Sequence, residues 1–515
     1  MMNRETTLTW KYHDLTKHSY SSIRTRPHYL DWDNQPSPFK VYTDIEPIPL
    51  PRDLPQSGMP TLDAIASTGV EPVGEIKPSL DQLASILYYS AGVTKKKTYP
   101  GGELYFRAAA CAGALYPTEI YAVCGDIDGL RAGVYHFSPG EFALRSLREG
   151  DFRSAVIRAT GFEPGVASSP VTLIYSALSW RSTWKYCDRA YRYHFWDNGM
   201  ILANALAMAA AHGLPAKLVM GFAEAELNRL IGIDGQQELA LSLLALGHTK
   251  QPPEALTASE ELPGLKLDVL PLSSSQVDYP SIREMHAASS LTSASEIAEW
   301  RGAKIERQSP EATGRLFPLS PPPQYQPARE PIEEVIQRRA STRRFAPKPI
   351  PFADLSVILD RATRRIPVDF IEQPTFELND IYLIVNRADG LAPGAYFFRK
   401  HERELELLKE GDFSGEARHL ALDQELGGDA SVTLFFMADL KSLLDKLGNR
   451  GYRAAQMEAG IIGGKIYLAA YSMKRGATGL TFYDDEVTEF FSPHAAGKSC
   501  IFVTSIGIPG KRPVY

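Results

Sequence analysis

Four arginines surround a serine–threonine pair in RRASTRRF, residues 338–345. Guanidinium forks match phosphate oxygens bidentately, and the hydroxyls of Ser341 and Thr342 can add short hydrogen bonds. Arg338, Arg339, Ser341 and Arg343 therefore make a candidate anion cradle, although a charge run is also the pattern of a solvated helix end. A second candidate is RAAACAGALYPTEIY, residues 107–121. The small side chains of Ala110, Cys111, Ala112 and Gly113 let the backbone approach a flat ligand and leave N–H groups free to point at it. A close-packed helix start has the same composition. A third is WKYCDRAYRYHFWDNG, residues 184–199. Lys185 and Tyr186 both titrate near ~10 when unperturbed, and proximity plus burial brings a lysine toward the range of acid–base work. Against this, Arg181, Lys185, Arg189 and Arg192 fall on one helical face, the pattern of a solvated basic stripe, and Tyr186 and Tyr191 suit a core; on the residues alone this second reading is the favoured one.

The chain carries a diverged internal repeat. DGLRAGVYHFSPGEFALRSLREGDFRS from Asp128 matches DGLAPGAYFFRKHERELELLKEGDFSG from Asp389 without a gap. The same offset lays Arg189-Ala-Tyr-Arg192 on Arg450-Gly-Tyr-Arg453 and Thr118–Tyr121 on Asn379–Tyr382. After a two-residue gap, Ser67-Thr68 lies on Ser341-Thr342.

Comparing the halves sharpens the candidates. The first half reads AIASTGV where the second has its arginines, so it keeps Ser-Thr and no guanidinium. The second half reads FIEQPTFELNDIYLI where the first has its small-residue loop, and it has Lys446-Leu447 in place of Lys185-Tyr186. Each half has lost what the other retains. In a dimer of one such domain, an interface site takes its cradle from one partner and its loop from the other. Fusion in tandem allows one of the two sites to decay. The surviving site joins residues 338–344 to residues 107–119.

The elements that must position these groups follow a common plan in both halves. A helix (80–91; 353–363) precedes strand-like runs, then a long helix (about 186–212; near 450–474) and a final apolar strand. Helices and strands mix without a regular βαβ beat, which places the fold in the α+β class. The expected organisation is an extended Pro- and aromatic-rich arm (1–60), a first domain (61–250), a Pro/Ser/Glu-rich linker (251–329) with a short helix near 281–300, and a second domain (330–515). The long apolar helices are the natural interface of an intrachain pseudo-dimer, and the sequence leaves further homodimerisation open. Net charge is −6, which gives no global field for nucleic acid or an anionic membrane. The most apolar run, residues 199–211, is too short to span a bilayer, and the first twenty residues lack a signal-peptide core. Cys111, Cys124, Cys187 and Cys500 show no metal-ligand spacing and fit a reducing cytoplasm.

These motifs resemble the nitroreductase-like flavoenzymes, in which an Arg-Arg-Ser-x-Arg opening binds the FMN phosphate and ribityl chain. The stretch SILYYSAGVTKK…YPGG…RAAACAGALYPTEIYAVCGD is similar to the SagB/ThcOx-type dehydrogenase branch of that family. The resemblance implies two tandem nitroreductase-like domains, each a mixed sheet flanked by helices. Ala110-Cys111-Ala112 stands where that branch carries a flavin-facing Pro-Ser-Ser. By family position, Gly479 and Leu480 add backbone contacts along the flavin, and Lys511 and Arg512 reach the phosphate. Lys185 and Tyr186 fall on the branch's acid–base pair. The implied function is FMN-dependent oxidation of an azoline-type or related heterocycle in a peptide or small molecule. The alternatives are an NAD(P)H-dependent nitro or quinone reductase and a non-catalytic flavin- or peptide-binding scaffold.

Overall fold

The computed structural model describes residues 2–25, 27–68, 73–99, 102–250, 262–305, 310–319, 321, 324, 326–371 and 377–511. Each half builds one large antiparallel sheet. The first runs in the order Pro47–Pro49, Ala143–Glu149, Gly133–Ser138, Thr118–Cys124, Val171–Leu178, Glu238–Leu246, Ala216–Val219. The second runs Arg315–Pro318, Glu404–Glu410, Gly394–Arg399, Asp380–Val385, Val432–Ala438, Ser499–Pro509, Phe345–Ala346, with Gly476–Leu480 also paired to Ser499–Pro509. The central strands of both sheets are buried along their length, so helices or loops cover both faces.

The helix Leu80–Ala91 starts on a capping box, in which Ser79 and Gln82 satisfy each other's backbone N–H. The two long helices, Ala190–Ala211 and Arg450–Ser472, are buried almost throughout, as helices that are apolar or small on every side must be. They cross at glycines. A Cβ on Gly199 would lie 2.7 Å from the carbonyl carbon of Gly460, and one on Gly460 would lie 2.6 Å from the Trp196 carbonyl oxygen. Ala203 faces Gly464 one turn further along. Gly199 and Gly460 occupy the same position of the repeat, so the crossing lies on a pseudo-twofold axis.

The expected basic stripe is not solvated. Arg189 and Arg192 are buried and clamp Asp484 of the other half at 2.9 and 2.6 Å. Their repeat counterparts Arg450 and Arg453 clamp Glu224 of the first half at 2.6 and 2.7 Å. Arg181 is also buried and pairs with Glu119. The face is basic because it meets acids far away in sequence. Only Lys185 of the four is exposed.

Two connecting segments are more structured than their composition suggests. Thr7–Leu15 is helical where an extended arm was expected, because Thr9, Tyr12, His13 and Thr16 form one buried stripe at helical spacing. Tyr12 lies between the repeat-related rings of Tyr191 and Tyr452, at 5.7 and 6.1 Å. Between the halves, Pro280–Ala288 and Ala294–Arg301 are helices that bury Met285 and Trp300. Arg315–Pro318 then joins the second sheet.

Burial pushes the Asp484 carboxyl up, but Arg189 and Arg192 outweigh it and hold the group down to about 2. A depressed folded-state value supplies stability that is present above the ordinary 3.8 and disappears as pH falls toward 2. Asp484→Asn should therefore flatten the acid limb of the stability curve. At neutral pH it should cost about 3–5 kcal/mol in urea unfolding, because two buried guanidiniums lose their counter-charge.

Candidate functional site

The two halves meet in a cavity of about 310 Å³, within the range of small-molecule sites. Its floor is the loop Ala110–Gly113, and Lys185 and Tyr186 stand at its rim. Ser341, Arg343, Gly479 and Leu480 come from the second half. The structure thus brings together ten of the expected residues and several that the motifs did not single out, among them Asp197, Tyr467 and Gln424.

The floor is held by an acid that sequence reasoning missed. Asp197 accepts from the Ala112 N–H at 2.8 Å, and its other oxygen takes the Cys111 thiol at 3.2 Å. The Cys111 sulfur in turn accepts from the Tyr116 N–H at 3.1 Å. Cys111 therefore acts as internal scaffolding for the loop. The Ala114 and Leu115 N–H groups close a tight turn, and the N–H groups of Cys111 and Gly113 make no hydrogen bond to the described residues. Gly113 has φ +63°, a conformation that favours glycine, and a Cβ there would lie 2.8 Å from the Tyr186 hydroxyl. Burial pushes the Asp197 carboxyl up to about 7, against the lowering effect of its Ala112 and Cys111 hydrogen bonds. A sequence signal existed: an acid inside the apolar, aromatic run HFWDNGM, with Glu458 at the same repeat position. Glu458 also holds backbone, accepting from the Leu378 and Asn379 N–H groups immediately before the strand Asp380–Val385.

The cradle divides its labour. Arg338 turns outward to Glu330 and the Tyr471 carbonyl. Arg339 reaches across to the first half and donates to the carbonyls of Ala108 and Arg107 at 2.9 and 3.2 Å. It therefore fastens the cradle to the start of the floor loop. Arg343 and Ser341 face the cavity. Gly479 presents open space to it, since a Cβ there would meet nothing nearer than 3.6 Å. The Gly510 N–H donates to the Arg344 carbonyl at 2.8 Å, which places exposed Lys511 beside the cradle. Arg512 lies outside the described residues.

At the rim, Tyr186 stacks on Tyr193 with ring centroids 4.2 Å apart. Burial, with Tyr193, Asp197 and Cys111 nearby, pushes its phenol well above the ordinary range. Lys185 moves the other way, lowered by burial and by the neighbouring Arg343 charge. The rim thus pairs a phenol that keeps its proton with an amine that gives one up more readily than usual.

Where the first half has Ser67-Thr68 in place of the cradle, the Thr68 hydroxyl meets the buried Lys465 ammonium at 3.1 Å. The Arg364 and Arg365 carbonyls complete that contact.

The Nitroreductase family model matches this chain twice, over residues 75–248 and 336–503. A Methanocaldococcus jannaschii protein provisionally named nitroreductase MJ1384 is 29% identical over 169 residues, 33% of this chain and 80% of its own length. The Escherichia coli microcin B17-processing protein McbC is 24% identical over 144 residues, 27% of this chain. That match spans 49% of McbC, about half of it. Among solved structures, an Anabaena variabilis protein provisionally named a nitroreductase has a TM-score of 0.77 at 26% identity, covering 98% of this chain and 100% of the other.

Asp197 gains proton affinity on folding, so stability should fall as pH rises from the ordinary 3.8 through about 7 and then level off. Asp197→Asn should remove this slope, measured as the urea midpoint between about pH 5 and about pH 8.

Proposed function

The chain belongs to the nitroreductase family, and on that premise we propose that it is an FMN-dependent oxidoreductase with one composite site. The observation that carries this reading is the cavity in which the Ala110–Gly113 floor of one half meets Ser341, Arg343 and Gly479 of the other. The donor set suits a flat, anionic cofactor. Gly113 and Gly479 let a planar ring approach the backbone, the N–H groups of Cys111 and Gly113 can point at it, and Arg343 with Lys511 supplies positive charge for a phosphate. Arg339 would act by holding the two walls together, and Arg338 from outside the cavity.

We further propose that the reaction is dehydrogenation of an azoline-type ring in a peptide or related small molecule. The likeness to McbC, named as a microcin-processing protein, supports a peptide substrate. FMN, when bound, supplies the acceptor for the hydride that leaves the substrate carbon. Lys185 is placed to take the accompanying proton through its neutral amine, a form that partial burial and the Arg343 charge bring closer than in an ordinary lysine. Tyr186 stays protonated, and its hydroxyl over Gly113 donates a hydrogen bond that orients the substrate. Stacking on Tyr193 holds the Tyr186 ring in place for that contact.

Flavin released from the denatured protein should amount to about one FMN per chain, because the first half has no arginine beside Ser67-Thr68 and its Thr68 hydroxyl is taken up by the buried Lys465 side chain. About two per chain, or none after incubation with excess FMN, would contradict the composite site. Lys185→Ala should retain the flavin and lower kcat for an azoline peptide about 10²-fold or more, with NAD(P)H–quinone turnover as the control reaction.

A further inference from the structure

One element beside the cavity has no counterpart in the other half. Between the helix Leu80–Ala91 and the strand Thr118–Cys124, the first half forms a hairpin of Val93–Tyr99 and Gly102–Arg107. The second half spans the equivalent interval, from Phe352–Ala362 to Asp380–Val385, without a hairpin among its described residues. The hairpin thus accompanies the half that supplies the cavity floor. It is joined to that floor directly: Arg107 ends its second strand, Ala110 lines the cavity, and Arg339 grips the Arg107 and Ala108 carbonyls between them.

The hairpin's two faces differ. On one, Lys96 pairs with Glu103 and Tyr105 packs on Phe39, so charge and apolar surface are both satisfied. The register places Lys95, Lys97, Tyr99, Leu104 and Phe106 on the other. Lys95 and Lys97 have no acidic partner among the described residues. Tyr99 is 52% exposed and Leu104 36%. Each strand pairs only with its neighbour, which leaves outer rows of N–H and C=O groups without a strand partner among the described residues. Free edges are either protected or used, and lysines that blunt an edge against neutral chains attract an acidic one. The same sign continues to the rim, where Lys185, Arg343, Arg344 and Lys511 are exposed on a chain of net charge −6.

We propose that this hairpin is the docking site for an extended acidic peptide. The peptide adds a strand to a free edge, its carboxylates meet Lys95 and Lys97, and its apolar side chains lie on Tyr99 and Leu104. The proposal rests on the peptide reading of the function, and it identifies the part of such a substrate that is held while another part enters the cavity. Main-chain pairing gives affinity without demanding one sequence, and the lysines select for charge.

The test uses the full-length, FMN-loaded protein and two fluorescein-labelled twelve-residue probes, one repeating Glu-Thr-Val-Thr and one repeating Lys-Thr-Val-Thr, so that charged and apolar side chains share one face of the added strand. The acidic probe should bind with salt-sensitive affinity and slow amide exchange in residues 93–99 or 102–107, and the basic probe should not. Lys95→Glu with Lys97→Glu should weaken the acidic probe at least about tenfold while leaving bound FMN and its visible spectrum unchanged. Equal binding of both probes, no protection in the hairpin, or indifference to the double substitution overturns the proposal. Flavin content is read separately, so loss of the docking result with FMN still bound sinks the hairpin alone, whereas absent FMN sinks the functional reading.

Discussion

Two glycines at one repeat position, Gly199 and Gly460, touch backbone to backbone where the long helices cross, and the rest of the molecule is arranged about that contact. No side chain larger than hydrogen fits there, so the helices approach as closely as their main chains allow. The crossing sets the distance between the halves, and hence the distance from the Ala110–Gly113 floor to Ser341 and Arg343. Around it, each half inserts a pair of arginines onto an acid of the other. Desolvating these ions is costly, and only well-formed geometry offsets the cost. Close packing of the backbones and matched buried charges therefore specify one relative placement of the halves.

Within that symmetric frame the chemistry is one-sided. Asp197 and Glu458 stand at the same repeat position and both hold the backbone ahead of a central strand, yet they do so differently. Glu458 binds backbone N–H groups of two residues, whereas Asp197 binds one N–H and a thiol and keeps a raised affinity for its proton. The less complete set of donors belongs to the half that lines the cavity. At the other end of the symmetry, Lys465 places an ammonium beside Thr68. The floor of one half and Ser341 with Arg343 of the other line one cavity, whereas the Thr68 hydroxyl at the aligned position of the first half is bound by Lys465.

Much of this was legible in the residues. The ungapped repeat gave two like halves, and the complementary losses in AIASTGV and FIEQPTF pointed to one site shared between them. Local patterns carried those inferences because gains and losses at aligned positions need no knowledge of distant contacts. The charges were another matter. Arg189 and Arg192 resemble a surface stripe until Asp484 is brought to them from nearly three hundred positions away. The N-terminal helix was obscured by the Pro-rich stretch that follows it, although Thr9, Tyr12, His13 and Thr16 carry the helical period. Among the cradle residues, the motif could not show that Arg338 and Arg339 bind protein oxygens and leave Arg343 to face the cavity.

The buried arginine clamps also bear on traffic. Parting the halves like a hinged shell would strip four guanidiniums and two carboxylates of their partners and pull the Tyr12 ring from between Tyr191 and Tyr452. A ligand entering the cavity must instead pass over the rim, among Lys185, Gly113, Arg343 and Gly479, which are the exposed members of the site. Opening of such a mouth needs only side-chain motion, on timescales much shorter than those of domain movement.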